Sequence, residues 1–249
     1  MLAGWLARGL PASAVWVVDP RPSDWLQGTG VNLNAKLPAA PAVVLVAVKP
    51  QMMAEALPTL QAMGNGDTLF VSVAAGTTIG YFESILGAET PIVRAMPNTP
   101  AAISKGITAI VGNAKAGSRS LDEAEALLSA VGEVVRLQEE AQIDAVTGVS
   151  GSGPAYVFHM IECMAAAGKA QGLPEELALQ LAKATVAGAG ALAMEAEEDP
   201  GQLRLNVTSP NGTTQAALEV LMDAQNGFPA LLDRAVSAAA DRSRELANG

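Results

Sequence analysis

Cysteine is almost missing from this sequence. Cys163 is the only one in 249 residues, so no disulfide can close within the chain and a thiolate metal cluster is excluded. Such usage fits a reducing compartment, and the cytoplasm is the expected location. Histidine is equally scarce. His159 stands alone beside Phe158 and Met160 in a helical stretch, without the partners that catalysis or metal binding requires; it reads as packed or surface-lying, and Cys163 one turn on reads as core. No metal site is expected. Positive charge is also short, with 15 Lys and Arg against 25 Asp and Glu, a net charge of −10. A phosphate-tracking basic face is therefore not expected, and neither is nucleic acid as a partner. Aromatic residues make up only 4% while half the residues are apolar, so alanine, valine and leucine must do most of the packing. No unbroken apolar run reaches the roughly 18 residues of a membrane helix, and Met1–Leu10 lacks the charged leader and cleavage site of a signal peptide, so it reads as mature protein.

What is present is a series of short apolar runs without polar alternation: Ala14–Val18, Ala42–Val48, Thr68–Val73 and Ile92–Met96. Continuous apolarity over so few residues marks strands buried on both faces of a parallel sheet. Helical pattern fills the gaps at Pro50–Met63 and Thr78–Leu86, giving the alternation of an α/β domain. Leu2–Leu6 reads as the tail of a helix that stops at Gly9 and is sealed by Pro11. After Ile107–Val111 and Val134–Leu137 the character changes. Ala155–Gln171, Glu175–Glu195, Thr214–Met222 and Pro229–Leu246 are helical, with Gly172–Pro174 and Asp199–Gly201 as breaks. The sequence thus predicts a parallel α/β domain followed by an all-helical one, with the boundary near Gly151.

Ligands of open parallel sheets bind beyond the carboxyl ends of the strands. Here those ends are Asp19–Arg21, Ala47–Pro50, Val73–Gly76 and Met96–Thr99, all small, rigid or polar, and four such loops in order favour a nucleotide over four incidental turns. At the first of them Asp19 suits an adenosine ribose and Arg21 suits the 2′-phosphate of NADP, with a plain solvated turn as the bland reading. Missing from the 249 residues is a strand followed by G-x-G-x-x-G, the usual pyrophosphate cradle. Gly151-Ser-Gly153 does not replace it, because no strand leads into it and Tyr156 occupies the third glycine's place. Ser209–Thr214 is a turn into a helix start, which offers either a carboxylate site or an ordinary N-cap made by Thr213 or Thr214. Glu197–Asp199 taken alone is a solvated charge run.

Ala47–Pro50, Ala74–Gly76, Met96-Pro-Asn-Thr-Pro100, the stretch from Asp144 through Ser150-Gly-Ser-Gly-Pro-Ala-Tyr156, Gly172–Pro174 and Asn206–Thr214 resemble the pyrroline-5-carboxylate reductase family, in order and spacing, over essentially the whole chain. The resemblance implies a Rossmann-type domain over residues 1–151, here without its first strand and glycine loop, and a helical dimerisation and substrate domain over 152–249. It implies NADPH as cofactor, with NADH the alternative, and a homodimer that can assemble further. It implies that Asn34, Ala47, Val48, Lys49, Pro50, Val73, Ala74 and Ala75 line the cofactor, to which the residue-level reading adds Arg21. It also implies that Glu197, Asn206, Thr213 and Thr214 surround the pyrroline ring, with the hydroxyl of Thr214 the candidate catalytic group at the imine nitrogen.

The chain departs from the family's pattern in two places. It begins within what reads as the first helix, whether through a misassigned start or a true truncation, and Asn211 stands where many relatives have glycine. Asparagine tolerates a positive φ better than most residues, so the turn is expected to survive. Two rival readings go with these departures: an inactive oligomeric remnant, and a related imine or keto-acid reductase.

Overall fold

The computed structural model describes residues Met1–Asn248. Each apolar run contains a strand. Trp16–Val17 (β1) pairs in parallel with Asn32–Leu33 (β2), a strand too polar at its start to stand out in the sequence. Val43–Val46 (β3), Leu69–Ser72 (β4), Ile92–Met96 (β5), Gly106–Gly112 (β6) and Gly132–Arg136 (β7) form a second sheet in the order β3-β4-β5-β6-β7. Strands β3, β4 and β5 run parallel, and so do β6 and β7. Between β5 and β6 the pairing is antiparallel. The connecting residues 97–105 are fewer than the dozen or so that a parallel crossover needs, and the chain reverses with Ser104 at φ 58°. The sheet is therefore parallel-dominated with one reversed step.

Both faces of the larger sheet are covered, as runs without alternation require. Phe70 and Ile92 face a cluster completed by Met53, Leu57, Phe82, Leu86 and Ile143. Those residues come from the helices Met53–Ala56 (α3), Ile79–Leu86 (α4) and Gln142–Val146 (α6), and from a 3-10 segment, Leu57–Met63. Leu69, Val71, Val93 and Ile110 point the other way, onto Ala124 and Leu128 of the helix Ser118–Leu128 (α5). The starting helix Leu2–Ala7 (α1) is fastened to that layer by Trp5, whose Nε1 donates to the Leu127 carbonyl at 2.7 Å. A one-turn helix, Asp24–Gln27 (α2), is capped by Ser23.

Strands β1 and β3 behave differently from their sequences. Each is bonded along one side only, to β2 and β4 respectively. Val43, Val44 and Leu45 are only half-buried, and Trp16 and Val18 are 38% and 66% exposed. Composition made for a fully paired interior thus ends, among the described residues, at two strand edges without a neighbouring strand.

By its contacts the chain divides into two units: Met1–Gly151 together with residues from Ala240 onward, and Ser152–Ala239. The second holds Gly153–Ala170 (α7), Glu175–Glu195 (α8), Pro200–Asn206 (α9), Thr213–Leu221 (α10) and the first part of Phe228–Asn248 (α11). Gly168 lets α7 lie close to Ala178 of α8, where a Cβ would meet the Ala178 methyl at 3.3 Å. Helix α9 begins where the sequence suggested a break. Asp199 is its N-cap, accepting from the Gln202 amide at 3.0 Å, and Pro200 occupies the first turn, the position where a missing N–H costs nothing. Among the described residues of this unit only the hydrophobics Ala178 and Ala182 are buried, whereas Leu181, Leu192, Met194, Leu205 and Leu232 are exposed. Helix α8 is also long and apolar enough to cross a membrane by length and composition, with a mean hydropathy of 1.4 over its most apolar window. Gln180 and Lys183 interrupt its apolar run, which is why no such span stood out in the sequence.

Candidate functional site

Register places the first group of candidate residues. Val46 of β3 is paired with Ser72 of β4, and Ser72 with Arg94 of β5. The segments Ala47–Pro50, Val73–Ala75 and Pro97–Thr99 therefore leave three adjacent parallel strands at one carboxyl edge, where such sheets take their ligands. The Val73 amide donates to the Val46 carbonyl at 3.1 Å, locking the second of these loops beside the first. The Ala74 amide donates to the Ser72 hydroxyl at 3.3 Å. Ala47 and Ala75 are exposed while Ala74 is buried, so this edge offers accessible backbone with little side chain in front of it. Lys49 is exposed and ends the first loop, where Pro50 starts a 3-10 turn.

Arg21 and Asn34 lie at the carboxyl ends of β1 and β2. Asn34 adopts φ 51° and forms a reciprocal pair with Asp19: the Asp19 amide donates to Asn34 Oδ1 and Asn34 Nδ2 donates to the Asp19 carbonyl, each at 2.9 Å. The Asp19 carboxylate accepts from the Arg21 amide at 2.8 Å, and the Arg21 side chain is exposed. Asn34 thus fastens the turn that carries Arg21. The exposed backbone and small side chains of this edge fit a dinucleotide, and the 249 residues contain no strand followed by G-x-G-x-x-G.

Glu197, Asn206, Thr213 and Thr214 all belong to the helical unit. Glu197 is exposed just ahead of the Asp199 cap, and Asn206 ends α9, accepting from Gln202 Nε2 at 2.8 Å. The turn to α10 is built as the sequence required. Asn211 sits at φ 59°, and its amide donates to Gln215 Oε1 at 2.7 Å. Gly212 is the N-cap of α10, which has no side-chain cap hydrogen bond among the described residues. The N-cap role weighed for Thr213 and Thr214 is thereby ruled out. Both threonines lie in the first turn, Thr213 exposed and Thr214 half-buried, where unpaired amides and the positive end of the helix dipole suit an anion. The open groove between α9 and α10 is lined instead by Arg204, Leu205, Thr208, Gln215, Leu218, Glu219 and Met222.

Other residues fall as the sequence indicated, or are corrected. His159 is on the surface, its Nδ1 3.0 Å from Glu162. Cys163 is exposed rather than core, because the helical unit by itself has almost no interior. Gly151-Ser-Gly153 closes a π-helical turn, Thr147–Gly151, and opens α7, so it is no phosphate loop. Sequence reasoning missed Glu140, whose Oε1 accepts from Arg94 at 2.7 Å and from the Ile79 amide at 2.8 Å. One signal was present at Arg94 alone: an arginine in the middle of the apolar strand β5 demands an anionic partner, without saying which.

Comparisons with known proteins show the family to which the chain is similar. A family model described as pyrroline-5-carboxylate reductase dimerisation matches residues 140–246. The pyrroline-5-carboxylate reductase of Pseudomonas aeruginosa is 42% identical over 253 aligned residues, covering 99% of this chain and 92% of the relative. Among solved structures, a pyrroline-5-carboxylate reductase from Coxiella burnetii superposes with a TM-score of 0.92 at 34% identity, covering 98% of this chain and 93% of the other. The Plasmodium falciparum pyrroline carboxylate reductase, solved with NADP bound, gives 0.84 at 27% identity, covering 98% and 92%. Identity at this level across nearly the whole of both chains means that this protein belongs to the pyrroline-5-carboxylate reductase family.

Proposed function

We propose that this chain catalyses the NAD(P)H-dependent reduction of 1-pyrroline-5-carboxylate to L-proline, the last step of proline biosynthesis, with the ring held at the start of α10. The observation that carries the reading is the helix start itself: Gly212 caps it without a side chain, so Thr213, Thr214 and the first-turn amides remain available to a ligand. Family membership makes the protein an NAD(P)H-dependent oxidoreductase acting on a C=N bond. The cofactor, when bound, supplies the hydride. Ala47–Pro50 and Val73–Ala75 would hold it along the edge of β3 and β4, with Asn34 shaping the turn on which Arg21 meets the 2′-phosphate of NADPH. The first-turn amides of α10 would hold the substrate carboxylate, with Asn206 and Glu197 beside the ring. The Thr214 hydroxyl would donate to the imine nitrogen and increase the electrophilicity of the carbon that is reduced. Orientation by these groups does much of the rest.

The helical unit supports a homodimer as the working state, since its apolar residues lie outside rather than in a core, and a folded protein seldom leaves so much apolar surface uncovered. A cytoplasmic location accords with a free, exposed cysteine. The test is NADPH oxidation followed at 340 nm with pyrroline-5-carboxylate. Stoichiometric formation of proline is the expected result, and a folded, NADPH-binding protein that forms none would overturn the reading.

A further inference from the structure

Arg94 lies within β5 with only 4% of its surface exposed. Such a guanidinium needs an anionic partner, here Glu140 with its side chain 30% exposed, yet replacing an ion pair taken largely out of water by apolar residues is often neutral or stabilising. Stability alone therefore does not account for the pair, and the geometry of the partner does more. One carboxylate oxygen, Oε1 of Glu140, accepts both from Arg94 and from the backbone amide of Ile79, the first residue of α4. Thr78 takes another amide of the same turn, that of Tyr81, at 3.3 Å. The loop Ala74–Thr78 is thus fixed at its far end by Glu140, just as Ser72 fixes it at the near end.

Glu140 is placed in turn by what surrounds it. Its carbonyl accepts from the Ile143 amide at 2.9 Å as α6 begins, and Asp144 in α6 accepts from the buried Ser243 hydroxyl at 2.6 Å. On the same stretch of α11, Leu246 packs on Gly76, where an added Cβ would lie 3.1 Å from the Leu246 Cβ. Gly76 is at φ 69°. The loop is held between two supports, Glu140 at its end and the last turns of α11 at its middle.

We propose that Glu140, anchored by Arg94, is a positioning residue that sets the backbone of the loop Ala74–Thr78 for the dinucleotide. The proposal rests on the reading of that loop as cofactor-lining. The experiment uses the full chain and three variants: Glu140→Gln, which keeps an acceptor oxygen; Glu140→Leu, which removes it; and Arg94→Met/Glu140→Leu, which removes both charges so that no uncompensated charge can unfold the protein. Amide hydrogen exchange over residues 75–79 and NADPH affinity by fluorescence titration are the readouts. In both leucine variants exchange at these amides should speed up by about tenfold or more while β6 keeps its protection, and the NADPH Kd should rise by about tenfold. Glu140→Gln should retain most of both properties. A folded double variant with parental exchange or parental NADPH affinity overturns the proposal. In the parent, NADPH should slow exchange at the same amides. If it does not, the cofactor reading of the loop fails and the proposal with it; if it does and the double variant binds as the parent does, the proposal alone fails.

Discussion

Thr214 stands second in α10, in a turn whose helix start is capped by Gly212 through the backbone alone. An N-cap threonine replaced by a non-capping residue typically costs about 0.5–2 kcal/mol of stability. Because Thr214 caps nothing, Thr214→Val should leave the melting temperature close to parental. If its hydroxyl donates to the imine nitrogen, losing that bond should raise the barrier by about 1.4–2.7 kcal/mol and lower kcat by roughly 10- to 100-fold, with little change in NADPH affinity. Thr214→Ser should keep most of the activity. A Thr214→Val variant that melts and turns over like the parent makes the residue structural. Asn211 shows how far single residues were legible: its positive φ follows from turn chemistry and is observed at 59°. Glu140 was not legible, because a carboxylate in a polar stretch gives no sign that a strand residue 46 positions away will reach it.

Elements were easiest to read where composition left a single solution. The unbroken apolar runs each contain a strand, and the predicted Glu175–Glu195 helix is α8 to the residue. Elements whose identity depends on a neighbour were harder. Strand β2 is two residues long and exists by pairing with β1, and α9 was hidden because Asp-Pro-Gly reads equally as a break and as a cap with proline in the first turn. Asp199→Ala therefore tests the cap directly. It should destabilise the helical unit by about 1 kcal/mol, seen as a small fall in melting temperature; an unchanged transition would mean that the Asp199–Gln202 bond does not hold α9. The free edges of β1 and β3 lead to a second expectation at this scale. Their apolar sequences suit full pairing, and the 249 residues contain no strand followed by G-x-G-x-x-G. A version carrying an added apolar strand and G-x-G-x-x-G loop ahead of Met1 should bind NADPH at least about tenfold more tightly. Equal affinities in a fluorescence titration would show that the cradle is not what limits binding.

For the molecule as a whole, the decisive contrast is between a sheet unit with two packed layers and a helical unit with almost no interior. In the latter, alanine and leucine are abundant enough to form helices but lie mostly on their surfaces: Leu181 and Leu192 of α8 are 48% and 54% exposed. Fully removing one leucine from water contributes roughly 1.5–3 kcal/mol, so covering several half-exposed ones offsets a substantial part of the entropy lost on association. A second copy can provide that cover through symmetric contact of the same faces, and the match of residues 140–246 to a dimerisation family lies over these helices. A lipid bilayer is the other environment that could cover α8, but Gln180 and Lys183 within its span, and glutamates at both ends of the helix, suit a partly polar protein interface better. The chain should therefore sediment as a dimer or larger at micromolar concentration and should not float with liposomes. Leu181→Glu/Leu192→Glu places two charges in the proposed interface, where each unpaired burial costs several kcal/mol. The dimer dissociation constant should rise more than about 100-fold, the effect of some 2.8 kcal/mol. A double variant that still sediments as the parent does would remove this face of α8 from the interface, and a parent that is monomeric at these concentrations would refute the dimer itself.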